Sequence, residues 1–158
     1  MAADMLIDAN VFMYAAGGEH RYRGPCRTIV RMLGNQPALD GRTACVDTEL
    51  FQEVAYRYAS IGRPSTGREM QRAIRALGLR LLSVDAPVVD RFVELQETHG
   101  DALEQRRVSV RDLLHLAVMR AAGIDHILSA DRDFELLAVQ RVDPVAFVKR
   151  LRRRPRTG

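Results

Sequence analysis

Three features of this chain predict an α/β fold in which helices cover both faces of a parallel sheet. Short apolar runs alternate with longer stretches of helical period from one end to the other. The first run, Met5-Leu6-Ile7, stops abruptly at Asp8, which is the pattern of a buried strand delivering a carboxylate at its tip. The stretch Leu113 to Ala122 is apolar nearly all round, as a buried helix would be. A helix cap would explain Asp8 equally well, and this stretch alone leaves both explanations open.

The elements follow in order. Ala9 to Ala16 is expected as a short helix ended by Gly17-Gly18. Gly24-Pro25 starts the next, with Ile29, Val30 and Leu33 as its apolar face, until Gly34-Asn35. Pro37 and Gly41 mark a loop before a strand over Thr43–Val46. Asp47 or Thr48 caps a helix to about Ser60, striped by Leu50, Phe51, Val54 and Tyr58. Gly62, Arg63 and Pro64 break it, and another helix runs from Ser65 to near Gly78. Leu79 to Val84 is a strand candidate, and Asp85-Ala86-Pro87 opens a helix through about Thr98. Gly100 to Val108 is polar and is expected as loop or frayed helix end. Ser109 and Asp112 have the spacing of a capping box ahead of the apolar helix, which Gly123 stops. His126 to Ser129 is a strand, Asp131 to Leu137 a short helix, Gln140 to Val142 a last strand, and Pro144 begins the terminal helix.

The 158 residues suffice for one domain with a real core, and no repeat, low-complexity segment or second domain interrupts them. Residues 1–148 are expected as the domain and 149–158 as a basic tail carrying Lys149, Arg150, Arg152, Arg153, Arg154 and Arg156. Cys26 and Cys45 have no metal-ligand spacing. The start lacks a cationic segment and a long apolar core, and no stretch approaches the length of a membrane span. A reduced, cytoplasmic protein with no membrane partner is expected. The formal charge is +4, and of 24 basic residues only Lys149 is a lysine. Arginine forks suit phosphate, so the excess fits a nucleic-acid partner, although a solvated tail would also account for much of it.

Four acids fall at the same predicted sheet edge: Asp8 at a strand tip, Glu53 on the helix after the Thr43–Val46 strand, Asp112 in the first turn of the buried helix, and Asp131 past the strand ending at Ser129. Each also has a purely structural explanation as a cap or a surface residue. Glu53 lies nearer the apolar stripe of its helix than Glu49, and Asp133 competes with Asp131. Converging carboxylates repel, and a hard divalent cation, Mg²⁺ or Mn²⁺, removes that repulsion with oxygen ligands alone. His115, three residues after Asp112, is a candidate ligand by position, but it is expected to pack or hydrogen-bond on its own helix.

Four segments, Leu-Ile-Asp-Ala-Asn-Val around Asp8, Glu-Leu-Phe-Gln-Glu-Val around Glu53, Arg-Asp-Leu-Leu-His-Leu-Ala-Val around Asp112 and Leu-Ser-Ala-Asp-Arg-Asp-Phe around Asp131, together resemble the PIN domain, specifically the VapC-type toxins of toxin–antitoxin pairs. The resemblance implies a three-layer α/β/α fold with a central parallel sheet of about five strands. It implies a Mg²⁺- or Mn²⁺-dependent endoribonuclease that leaves a 5′-phosphate and a 3′-hydroxyl. By position, Asp8 and Asp112 would be the principal metal ligands, Glu53 and Asp131 would complete the quartet, Asn10 would orient the first acid, and Ser129 would support the fourth. A VapB-type antitoxin laid across the acidic cleft, an RNA substrate and a homodimer are the implied partners. Arg21, Arg111 and Arg132 are candidate holders of the RNA backbone, and Ile29–Leu33 or Phe51–Tyr58 candidate dimer faces, with a core role as the alternative. The sequence carries no aromatic-rich stacking motif. Asn10 stands where a haloacid-dehalogenase-type phosphatase needs a second acid, and neither that enzyme's lysine nor a response receiver's is suitably placed. The remaining alternative is a catalytically silent PIN-like module that binds RNA or protein.

Overall fold

The computed structural model of the chain describes residues 3–153. Its elements run β1 (Asp4–Ile7), α1 (Ala9–Ala16), α2 (Arg23–Asn35), β2 (Ala38–Leu39), β3 (Arg42–Asp47), α3 (Thr48–Ser60), α4 (Pro64–Ala76), β4 (Arg80–Leu82), α5 (Ala86–Thr98), α6 (Gly100–Glu104), α7 (Val110–Ala122), β5 (His126–Leu128), β6 (Gln140–Val142) and α8 (Pro144–Arg153). A 3-10 turn, Arg132–Leu136, takes the place of the short helix expected after Asp131.

Five strands are mutually parallel, with β1 between β3 and β5, β6 beyond β5 and β4 beyond β3. The sixth, β2, pairs antiparallel with the first residues of β3, through Ala38↔Thr43 and Leu39↔Arg42. The loop expected between Pro37 and Gly41 is therefore a tight hairpin. Asp40 and Gly41 both take positive φ, 52° and 77°, as a two-residue turn between right-twisted strands requires. Gly100–Glu104 forms one short helix before the chain turns towards α7.

Strand alternation sorts the core into two layers. Met5 and Ile7 of β1, Ala44 and Val46 of β3 and Leu128 of β5 pack with α1, α2, α3 and α8. Leu6, Cys45 and Ile127 point the other way, onto Leu113, Leu116 and Met119 of α7. The outer side of α7, through Ala117 and Val118, is covered in turn by Val88 of α5. That sandwiching explains why α7 is apolar nearly all round. Each fully buried Leu, Ile or Met contributes about 1.5–3 kcal/mol. Ile29 and Leu33 belong to this core, which removes them as a dimer face; Phe51 and Val54 are buried with them, while Tyr56 on the same helix stays exposed.

Both cysteines are buried and free, and burial pushes their thiols up, to about 12 for Cys26 and about 11 for Cys45. The basic residues from Lys149 to Arg153 lie on α8; Arg154 and Arg156 lie outside the described residues. Among the described residues no helix is long and apolar enough to cross a membrane.

Candidate active site

The chain leaves β1 for helices and strands on one side and returns to β5 on the other, so the sheet's switch point falls between the carboxyl ends of β1 and β5. Asp8 sits at that point and is only 6 % exposed. It precedes α1 but makes no side-chain cap bond there, so the strand-tip description applies. One carboxylate oxygen, Oδ2, accepts from Asn10 Nδ2 at 2.8 Å and from Ser129 Oγ at 2.6 Å. Ser129 Oγ in turn accepts from the Asp131 amide at 3.0 Å, and Asn10 Oδ1 accepts from the Ala130 amide at 3.2 Å. Asn10 and Ser129 thus tie the end of β1 to the turn after β5. Ser129 serves the first acid directly and the fourth through its backbone.

The acids gather in two adjacent groups. Asp8, Glu53 and His115 form one, and Asp112, Asp131 and Asp133 the other; within each group one ligand-capable atom per residue lies within 4.8 Å of the rest. Asp112 completes the capping box: its Oδ2 accepts from the Ser109 amide at 2.8 Å, and Ser109 Oγ accepts from the Asp112 amide at 3.1 Å. The box uses one oxygen and fixes the carboxylate at the mouth of α7. Gly123, at φ 67°, closes the far end of that helix in the left-handed conformation a C-terminal cap needs. Asp131 Oδ1 accepts from the Asp133 amide at 2.9 Å and so caps the 3-10 turn, while its group also holds the Asp133 carboxylate.

The residues that sequence reasoning missed are Asp47 and His115. His115 does not bond along its own helix. It is buried and donates through Nδ1 to Asp47 Oδ2 at 2.6 Å and through Nε2 to Glu53 Oε1 at 2.5 Å. The other Asp47 oxygen caps α3 by accepting from the Leu50 amide at 2.9 Å. With a carboxylate on each ring nitrogen, His115 is an imidazolium: burial lowers its affinity for the proton, but Asp47, Glu53 and Asp8 outweigh that and hold it well above its ordinary value. The signal available in sequence was only that a histidine lies one turn beyond Asp112.

Burial dominates the acids. It pushes the Asp8 carboxyl up to about 6, against the opposing pull of His115 and the Ser129 hydrogen bond, with Glu53 and Asp112 adding like charge. Asp112 is raised by burial and by Asp131, against its bonds from Ser109. Asp133 is raised by burial and Asp131. Glu49 is raised by burial too, but it sits 3.8 Å from Arg111 Nε, whose guanidinium lies over Tyr56. Of the other candidate rim arginines, Arg21 donates to the Tyr22 hydroxyl and Arg132 faces Glu135 at 3.9 Å.

With both His115 nitrogens already bonded to carboxylates, the donors left are carboxylate oxygens, which suit a hard divalent cation, and no thiolate is present among them for a soft one. A separate apolar groove of about 640 Å³ lies between α1, α2 and α4, and none of the four predicted acids lines it.

Comparison with known proteins agrees with this geometry. Residues 5–140 match the family model described as PIN domain. Ribonuclease VapC23 of Mycobacterium tuberculosis is 32 % identical over 128 residues, which cover 80 % of this chain and 92 % of that protein. Ribonuclease VapC13 of the same organism is 27 % identical over 132 residues, covering 83 % and 92 %. Among solved structures, Mycobacterium tuberculosis VapC20, a sarcin-ricin loop cleaving toxin, superposes with a TM-score of 0.68 at 19 % identity over 89 % of this chain and 100 % of that one. DNA-bound VapBC from Salmonella typhimurium gives 0.63 at 14 % identity over 90 % and 98 %. At those identities the superpositions speak for the fold, and the matched sequence for descent: the chain belongs to the PIN domain family, in the branch that holds the VapC ribonucleases.

Proposed function

We propose that this chain is the endoribonuclease toxin of a VapBC-type pair, that it acts on RNA in the cytoplasm with Mg²⁺ or Mn²⁺, and that Asp8, Glu53, Asp112 and Asp131 are its catalytic acids. The observation that carries the proposal is the convergence of these acids on one sheet edge, with Asp8 pushed up to about 6 by burial despite the opposing pull of His115. Asp8 and Asp112 would be the principal ligands of the cation, with Glu53 and Asp131 completing the set. When bound, such an ion polarises phosphoryl oxygens and makes water a nucleophile near neutral pH.

The chain's own residues supply the rest. Asn10 and Ser129 hold Asp8 through Oδ2 and leave Oδ1 outside that network. The Ser109 box holds Asp112 at the helix mouth. His115 holds Glu53 and supplies the one buried positive charge of the cluster. Their shared effect is preorganisation: the carboxylates are in place before substrate or ion arrives.

The antitoxin partner proposed with this function has a surface to use. Phe12, Val30, Met70 and Ile74 form the wall of the apolar groove, with Arg27 and Arg31 on its rim, which fits an amphipathic helix with acidic flanks. For the proposed homodimer, Leu81 of β4 and Val89 and Val93 of α5 are the exposed apolar side chains near one sheet edge.

The test is cleavage of RNA by the purified chain, verified free of antitoxin. Cleavage is expected with Mg²⁺ or Mn²⁺, is abolished by EDTA, and is lost in Asp112→Asn while the circular dichroism spectrum is kept. RNA that is bound but never cut with either metal would instead establish the silent binding module.

A further inference from the structure

Beside the acids lies a second cavity, of about 610 Å³, between the end of α1, the turn after it and the end of α3. Asn10, Tyr14, His20, Arg57, Tyr58 and Arg63 line it. Asn10 is the shared residue: its side-chain amide donates to Asp8 at 2.8 Å, and the residue also lines this cavity, which places the cavity next to the acids.

Its chemistry is unlike that of the apolar groove. Tyr14 and His20 stack with centroids 4.5 Å apart at 18°, and Tyr22 closes the cluster, 5.6 Å from His20 at 21° and 5.3 Å from Tyr14 at 39°. Tyr22 anchors this stack to the domain, because it is buried and its hydroxyl donates to Asp143 at 2.8 Å. His20, by contrast, is exposed. On the opposite wall Tyr58 is backed by Gly67 of α4, where a Cβ would come within 3.0 Å of the tyrosine's own Cβ. Arg57 and Arg63 stand on the same wall, and neither guanidinium has a hydrogen bond or ion pair among the described residues. Glu19, the acid on this rim, is engaged by Arg23 at 2.6 Å.

We infer that this cavity is a nucleotide subsite, which takes one unstacked base of single-stranded RNA next to the scissile phosphate, against the Tyr14–His20 platform, with Arg57 and Arg63 on the flanking phosphates. The inference rests on the ribonuclease function proposed above and names the class of its substrate. Single-stranded RNA is read by splaying bases onto aromatic rings, and arginine forks suit phosphate oxygens. The rings come from positions 14, 20 and 58, too scattered to form a motif in sequence; the fold assembles them. A peptide segment would find more apolar wall and fewer unpaired cations in the groove of α1, α2 and α4.

The subsite is tested with short RNA oligonucleotides carrying 2-aminopurine at successive positions, bound to the full chain in the Asp8→Asn background so that none is consumed. One position, adjacent to the bond that the unaltered chain cuts, is expected to lose fluorescence on binding. His20→Ala and Tyr14→Ala should abolish that quench and weaken binding roughly 10-fold, while Tyr14→Phe retains both. In the active chain His20→Ala should raise KM with little change in kcat. A uniform signal along the oligonucleotide, or affinity and quench unchanged in both alanine variants, overturns the subsite. Cleavage by the unaltered chain without a position-specific quench sinks the subsite and spares the ribonuclease. A specific quench without cleavage under any divalent ion does the reverse.

Discussion

Asp8→Asn lowers kcat/KM for RNA cleavage on the order of 10³-fold or more, the scale on which removing one preorganised charge-stabilising group acts, and it leaves the fold more stable rather than less. The second half distinguishes a site residue from a structural one. Asp8 has a folded value of about 6 against 3.8 for a free carboxyl, so the folded chain holds this proton more tightly than the unfolded chain does. Its ionisation therefore costs nothing below about 3.8, costs progressively more as pH rises towards 6, and reaches its full cost above that. At 1.36 kcal/mol per unit the full cost is roughly 3 kcal/mol in the metal-free protein. Asparagine keeps an oxygen for the bonds from Asn10 and Ser129 and removes the charge. Urea unfolding in EDTA is expected to show the variant gaining on the wild type between about pH 4 and pH 7. Added Mn²⁺ should stabilise the wild type but not the variant. A variant less stable than wild type across that range would contradict this account of Asp8.

His115→Ala is expected to be the most destabilising single change in the site. It removes the donor to Asp47 at 2.6 Å and to Glu53 at 2.5 Å and leaves a buried carboxylate without its partner. Breaking a buried pair from one side costs about 3–5 kcal/mol. Because His115 is held above its ordinary 6.5, its contribution is fully present below that pH and is lost as pH rises through the raised value. The gap between wild type and variant should therefore narrow at alkaline pH. Denaturant midpoints at pH 6 and pH 9 measure this, and a gap that is small or widens with pH would refute the charged bridge. Soaking the variant with free imidazole should recover part of the loss if the cavity accepts the missing ring.

These two residues also mark how far the sequence could be read. Asp8 was legible because an apolar run ended on it, and Asp112 because Ser109 stands three residues before it. Those are local patterns, and most helices, capped or interrupted by Asp47, Pro64, Asp85 and Gly123, were legible for the same reason. The β2 strand was not, because two residues carry no periodicity, although Asp40-Gly41 is itself a hairpin signal. The Asp47–His115–Glu53 bridge was not, because it joins the end of β3 and the middle of α3 to α7 across more than sixty residues of chain. Helical spacing says which face of α7 His115 occupies but not what stands opposite. The same holds for Tyr14, His20 and Tyr58, which share a cavity only after α1 and α3 have packed.

The proposed attack of water on an RNA phosphodiester at the acidic cleft leaves its mark in the chemistry of the new RNA ends. RNA cut by the purified chain with Mg²⁺ or Mn²⁺ should carry a 5′-phosphate and a 3′-hydroxyl, seen as fragments that ligate without prior phosphorylation and are absent with Asp8→Asn. Fragments ending in a 2′,3′-cyclic phosphate with a free 5′-hydroxyl, formed equally in EDTA, would mean that the ribose 2′-hydroxyl is the nucleophile and would contradict the account.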